Sequence, residues 1–240
     1  MELPSGRTLG TLDFVILELM AEYGFIRWSE QLIHFSSVDS HVYVGGREDF
    51  TDHPDLQWAL GRKIARLVLA NAHVRQDQKQ QCLIGIPTAG TPLAQAAVMV
   101  DFSIRRESSD NAREKPRIIY RIMREALKAH GVHPDWVNGK ADPLKHTYWT
   151  VDNTVTNGRS KLDARDRLKE SGYPVDDMRH LILVDRQQGG IPNMESFGFR
   201  DIVVAYNLLD ITYAFGERGL WPRKRVRAVE QEIKTHQLVW

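Results

Sequence analysis

Cysteine is nearly absent. Cys82 is the only one in 240 residues, so no internal disulfide is available and a reducing compartment fits the chain. It sits in the apolar run 82–86, which predicts a buried filler rather than a nucleophile. An excess of either charge is also lacking: 32 basic against 31 acidic residues leave a formal net charge of +1. That balance gives no bulk electrostatic case for a nucleic-acid partner. No apolar run approaches the roughly 18 residues of a membrane span. The opening residues, Met1 to Gly6, show no basic segment leading into an apolar one, so neither a span nor a signal peptide is expected. Internal repeats and low-complexity segments are missing. With 42% hydrophobic and 26% charged residues, the composition is that of a soluble globular chain, expected in the cytoplasm.

What is present is an alternation of helical and strand-like patterns. Thr11 or Asp13 opens a first helix that runs to about Tyr23, before Gly24. Short strands are expected over 32–35 and 41–44, as an appended hairpin ended by Gly45 and Gly46. Leu56, Ala59, Leu60, Ile64, Leu67 and Val68 fall at helical spacing and predict an amphipathic helix over 55–70. Buried strands are expected at 82–86, 148–151, 180–185 and 202–205, with helices at 93–100, 160–169, 208–215 and in the tail to about Gln237. The segment 117–123 reads as a strand or a helix start. The charged stretch 103–116, poor in apolar residues, reads as an exposed loop or insertion, and His130 to Gly139 as a loop. Such alternation indicates an α/β fold with a mostly parallel central sheet and helices on both faces. Three parts are expected: N-terminal helix and hood elements over 1–50, a core over 51–216, and a basic helical tail over 217–240. Arg223 to Arg227 in that tail reads as a solvated helix start rather than a nucleic-acid contact.

The residues with the most chemical content lie between Thr147 and Lys161. A β-prone run places Asp152 and Asn153 at a strand's carboxyl end, and Thr156, Asn157, Gly158, Arg159 and Ser160 form a turn before a helix. Backbone N–H groups at such a turn and helix start point toward an anion, and a glycine permits close approach. Thr156 and Ser160 add hydroxyl donors, and Asp152 can hold ribose hydroxyls or a metal-bound water. The stretch has no Gly-Lys-Ser ending of a P-loop, and its one glycine excludes the dinucleotide fingerprint.

This order resembles the phosphoribosyl pyrophosphate (PRPP) motif of type I phosphoribosyltransferases: a hydrophobic strand, two acids, then a Thr-x-Gly-x-Ser/Thr phosphate loop. A second segment narrows the resemblance. Asp185-Arg186-Gln187-Gln188-Gly189-Gly190, after a hydrophobic strand, is similar to the corresponding turn of orotate phosphoribosyltransferases. The resemblance gives Arg186 the orotate carboxylate, a role suited to a planar guanidinium fork. Arg124, Lys128, His130 and Gly131 match that family's mobile catalytic loop, which grips pyrophosphate and often acts in the neighbouring subunit's site. The turn Pro87 to Pro92, with Ala89 and Gly90, resembles its pyrophosphate loop, whose backbone amides face the diphosphate. Ser36 and Ser37 fall where the family has Lys-Ser near the orotate site. The resemblance runs from about Leu32 to Leu209, with an insertion around 103–116.

It implies a type I phosphoribosyltransferase fold with a small N-terminal hood, magnesium as cofactor, and PRPP and a pyrimidine base such as orotate as substrates. It further implies a homodimer, with no nucleic-acid or membrane partner. Asp152 would steady the ribose and its cation-like transition state, the 156–160 turn would hold the ribose phosphate, and Lys128 and His130 would close over the pyrophosphate. No direct protein ligand for a metal is expected. The chain departs from the pattern at four places: family lysines fall on Ala89, Glu125 and Ser36, and the second acid is Asn153. A charge-assisted hydrogen bond contributes roughly 1.5–3 kcal/mol, so such losses weaken binding by orders of magnitude unless compensated. Arg159 and Lys161 are the foremost compensating cations, with Lys115 and Lys140 as others. Two alternatives follow from the departures: a catalytically impaired homologue acting as a binding or regulatory protein, or a phosphoribosyltransferase with a different acceptor.

Overall fold

The computed structural model describes residues 1–35, 38–108, 115–126 and 136–235. The elements run α1 (Thr11–Glu22), β1 (Ile26–His34), β2 (Asp39–Val44), α2 (Glu48–Thr51), α3 (Pro54–Val74), β3 (Gln80–Gly85) and α4 (Gly90–Ser108). They continue with β4 (Ile118–Ile122), β5 (His146–Val155), α5 (Arg159–Glu170), β6 (Arg179–Asp185), α6 (Gly190–Ser196), β7 (Ile202–Asn207), α7 (Leu208–Glu217) and α8 (Arg223–Thr235). Five strands form one sheet in the order β4-β3-β5-β6-β7, and every neighbouring pair is parallel. β1 and β2 form a separate antiparallel hairpin.

Period-two alternation sends the strand side chains to two cores. Leu83, Trp149, Val151, Leu181 and Leu183 pack with buried residues of α3 and α4. Cys82, Ile84 and Tyr148 join Ala164 and Leu168 of α5, while Ile182 packs with Met194 of α6. Both faces of the sheet are therefore covered, as parallel strands require. α3 buries Leu56, Leu60, Ile64 and Val68 along one stripe, and Pro54 in its first turn needs no amide partner there. Cys82 is fully buried and free; burial pushes its thiol up to about 12, consistent with a filler.

Three boundaries differ from expectation. β1 starts at Ile26 rather than near Leu32, because most of its side chains are at least partly exposed and carry no apolar alternation. α4 continues to Ser108, so much of the stretch read as a loop is helix. The high charge there reflects a helix with a solvated face, not a break; Asp101 on its inner side is buried and pairs with Arg117. β5 continues past Asp152 and Asn153, because Thr154 and Val155 pair with Val184 and Asp185 of β6. Among the described residues no helix is long and apolar enough to cross a membrane.

Candidate functional site

β3 has β4 on one side and β5 on the other, so the chain order reverses at β3. In an open α/β sheet such a reversal opens a crevice at the strand carboxyl ends. A cleft of about 610 Å³ lies there. Its walls are the Pro87–Ala89 turn after β3, Asp152 to Lys161 along β5 and the start of α5, and Phe35 with residues 43–47 of the hairpin. A larger depression, about 960 Å³, lies at the opposite end, lined by residues 76–81, 115–117 and 144–146. It sits where strands begin and carries none of the anion-type turns, so the smaller cleft holds the chemistry.

The turn after β5 has the geometry of an anion cradle. Gly158 takes φ +82° at the N-cap of α5, in the left-handed region that favours glycine. The Arg159 amide donates to the Asn157 side-chain oxygen at 3.1 Å, and the Asn193 amide group donates to the Asn157 carbonyl. These bonds fix the turn, and of the first three amides of α5 that of Ser160 is left for an anion: Arg159 is spent on Asn157 and Lys161 on the Gly158 carbonyl at 3.0 Å. Thr156, Asn157, Gly158, Arg159 and Ser160 all line it.

Asp152 is only 6% exposed and Lys161 4%. Their charges meet at 2.7 Å. The Lys161 ammonium also donates to the Thr154 carbonyl and, at 3.2 Å, to the Ser160 hydroxyl. Asn153 carries no charge, and its side-chain amide donates to the Gly45 carbonyl, tying the hairpin to β5. The two leading positions of the motif thus present a neutralised acid and an amide committed to the hood.

The turn after β3 keeps its backbone and lacks a cation. A side chain on Gly90 would place its Cβ 2.1 Å from the Val151 carbonyl, so only glycine allows this approach to β5. Ala89 lines the cleft. The Thr88 hydroxyl donates to the Glu125 carboxylate, which brings this acid beside the turn. Arg124 is held at its backbone by the Trp136 carbonyl at 2.8 Å and does not line its own chain's cleft. Lys128, His130, Gly131, Ser36 and Ser37 lie outside the described residues.

Arg186 is fully buried and is not a cleft-lining residue. Its guanidinium donates to the Gln188 side chain and to the Val42 carbonyl, both at 2.9 Å, and lies 4.4 Å from the centre of the Phe35 ring. Glu232 of α8 stands 3.6 Å away. Burial lowers the guanidinium pKa to about 10, with Glu232 opposing that shift. Phe35 lines the cleft, so Arg186 reaches the site through that ring and the hairpin.

Several cleft residues escaped the sequence reading, among them Tyr43, Arg47 and Asp163. Tyr43 stacks under Arg27 at 4.0 Å, and burial raises its hydroxyl pKa. Arg47 is held at its backbone by the buried Asp49 carboxylate at 2.9 Å, with its side chain exposed. Only the hairpin's packing onto β5 brings Tyr43 and Arg47 in, and the one available signal was Gly45-Gly46 just before Arg47.

No family model matches the chain. The orotate phosphoribosyltransferase of Nostoc sp. is 26% identical over 216 residues, covering 90% of this chain and 93% of that protein. The orotate phosphoribosyltransferase of Methanocella arvoryzae is 24% identical over 204 residues, covering 82% and 98%. In fold, the chain is similar to Leishmania donovani UMP synthase, with a TM-score of 0.70 at 15% identity over 94% of this chain and 43% of that longer one.

Proposed function

We propose that this chain, a divergent member of the orotate phosphoribosyltransferase family, transfers phosphoribose from PRPP to orotate, giving orotidine monophosphate and pyrophosphate. The observation that carries the reading is the cleft at the β3–β5 reversal, where an anion cradle, a ribose-facing acid and a hairpin wall converge. In the reaction, the bond from the ribose anomeric carbon to the diphosphate breaks, its electron pair leaves with the diphosphate, and a bond to the base nitrogen forms. The 156–160 turn holds the ribose phosphate, and Asp152 accepts from ribose hydroxyls and offsets cationic charge at the anomeric carbon. The Ala89 backbone faces the diphosphate, while Gly90, its amide spent on the Ile86 carbonyl at 2.9 Å, lets the turn pack against β5. Arg124, Lys128 and His130 close over it, with His130 as a proton donor. Arg186, held by Val42 and Gln188, lies behind the Phe35 ring, so it orients the acceptor's carboxylate only once that ring moves aside.

On this reading residues 1–50 form the hood, 51–216 the catalytic core, and 217–240 a tail that reaches Arg186 through Glu232. The protein works in the cytoplasm as a homodimer in which each catalytic loop serves the partner's cleft. Arg124 supports this by not lining its own chain's cleft.

Magnesium is what the family implies as cofactor, carried mostly on the substrate's own oxygens. The chain's residues do not fit a protein-held ion. Asp152 is paired with Lys161, Asn153 is committed to Gly45, and the described residues include no group of three His, Cys, Asp or Glu able to hold a metal.

A second reading, a homologue that binds without turnover, is favoured by one observation: the Glu125 carboxylate sits against Thr88 in a turn that meets an anion. Following orotate consumption and pyrophosphate release on mixing with PRPP separates the two. Orotate-dependent release is expected; PRPP binding without release would leave the binding protein, and no binding would remove both.

A further inference from the structure

The Lys161 ammonium has three donors and three oxygen acceptors: the Asp152 carboxylate at 2.7 Å, the Thr154 carbonyl, and the Ser160 hydroxyl at 3.2 Å. A carboxylate, a carbonyl and a hydroxyl are the oxygen types that gather around a hard divalent cation. Here a side chain of the protein fills that nest, at the floor of the cleft and on two rigid elements, the end of β5 and the first turn of α5. Helix stability does not explain the placement. A cation in the first turn opposes the helix dipole, and a buried ammonium carries a desolvation cost.

The charge of the cleft points the same way. The charged side chains lining it are three cations, Arg47, Arg159 and Lys161, and two acids, Asp152 and Asp163; Glu125 reaches only the Thr88 hydroxyl beside it. Two unpaired acids at the ribose position would repel a polyanionic ligand unless a cation offset them. This cleft presents an ion pair and a neutral Asn153 instead.

We propose that Lys161 takes the charge-compensating place of a divalent metal in this cleft, so that the chain binds a phosphoribosyl diphosphate without requiring one. The proposal rests on the phosphoribosyl reading above and adds to it a built-in cation. Lys161 is a positioning residue on this view: it holds Asp152 in a fixed, neutralised geometry toward the ribose and supplies positive charge beneath the ligand.

The test is calorimetric titration of the full chain with PRPP, once in EDTA and once in excess magnesium, repeated with Lys161→Ala. For the unaltered protein, affinities in the two buffers are expected to agree within about threefold, a difference well under 1 kcal/mol. Lys161→Ala should bind at least about tenfold more weakly in EDTA and recover with magnesium, because the vacated oxygen nest then accepts the ion. Binding by the unaltered protein that tightens about tenfold or more with magnesium would overturn the inference and leave the phosphoribosyl reading standing. A variant as metal-insensitive and as tight as the parent would remove Lys161 from the role. No PRPP binding in either buffer would overturn both readings. If the variant does not fold, the two titrations of the unaltered protein still decide.

Discussion

The two ends of the central sheet each carry a buried ion pair, and they differ in what surrounds them. At the amino ends, Asp77 meets Arg179 at 2.9 Å, with its carboxylate also taking the Thr147 hydroxyl at 2.8 Å and the Lys79 amide at 3.1 Å. Arg179 lies over the buried Trp149 ring at 5.5 Å. Asp77 stands on the wall of the amino-end depression, but its carboxylate oxygens are taken up by these neighbours. At the carboxyl ends, Asp152 and Lys161 meet at 2.7 Å on the floor of a cleft, beside an anion cradle. The amino-end depression is the larger, yet its residues hold one another. The carboxyl-end cleft is smaller and has the Ser160 amide and the exposed side chains of Arg47 and Arg159 facing open space. Size does not mark the site; unspent donors at a chain reversal do.

Removing one acid from each pair is the strongest way to break this comparison. Asp77→Ala and Asp152→Ala each leave a buried cation alone, so each should cost about 3–5 kcal/mol of stability in denaturant unfolding. The two should part on ligand: Asp77→Ala should keep PRPP affinity wherever it remains folded, and Asp152→Ala should lose it. Equal loss of binding would erase the distinction between the ends.

The amino end also sets a pH response that the cleft does not. His180 of β6 is buried against Phe199 and meets the Thr150 hydroxyl at 2.8 Å. Burial lowers its pKa from 6.5 to about 4. The folded side chain therefore stays neutral where the unfolded one takes up a proton. This contribution is intact above about pH 6.5 and is lost as pH falls toward 4, a change of about 3 kcal/mol. Unfolding free energies across that window should show this slope, and His180→Asn should flatten it.

Within the cleft, the turn after β3 lacks a cation where the turn after β5 has gained one. Ala89→Lys should sharpen that contrast by tightening PRPP about tenfold, the effect of one charge-assisted hydrogen bond. Glu125→Gln should do less, roughly twofold to fivefold, because the removed charge is exposed to solvent. Titration calorimetry on both variants measures this.

How much of this was legible depended on whether the information was local. The anion turn could be read because Thr156, Gly158 and Ser160 are spaced within one strand-to-helix junction, and Arg186 stood out in its Asp-Arg-Gln-Gln-Gly-Gly run. The alternation of strands and helices gave the parallel sheet. Lys161 was visible as a spare cation, but its pairing with Asp152 required the helix start to fold back over the strand end. Arg47 and Tyr43 were invisible, since their place depends on a hairpin docking more than a hundred residues away through Asn153 and Gly45. The burial of Arg186 was equally hidden: a turn residue reads as exposed until Val42 and Phe35 of the hairpin and Glu232 of α8 arrive from two distant segments. Strand β1 was half missed because exposed strands carry no apolar alternation.

The most direct measurement of where the chain binds its ligand is hydrogen exchange on the full-length protein with and without PRPP. Slowed exchange should appear at 86–90 and 154–162, on the two turns that face each other across the β3–β5 reversal, with 76–81 and 144–147 unchanged. Protection confined to the amino-end residues, or none at a PRPP concentration that saturates binding, would contradict the assignment of the site to the carboxyl ends.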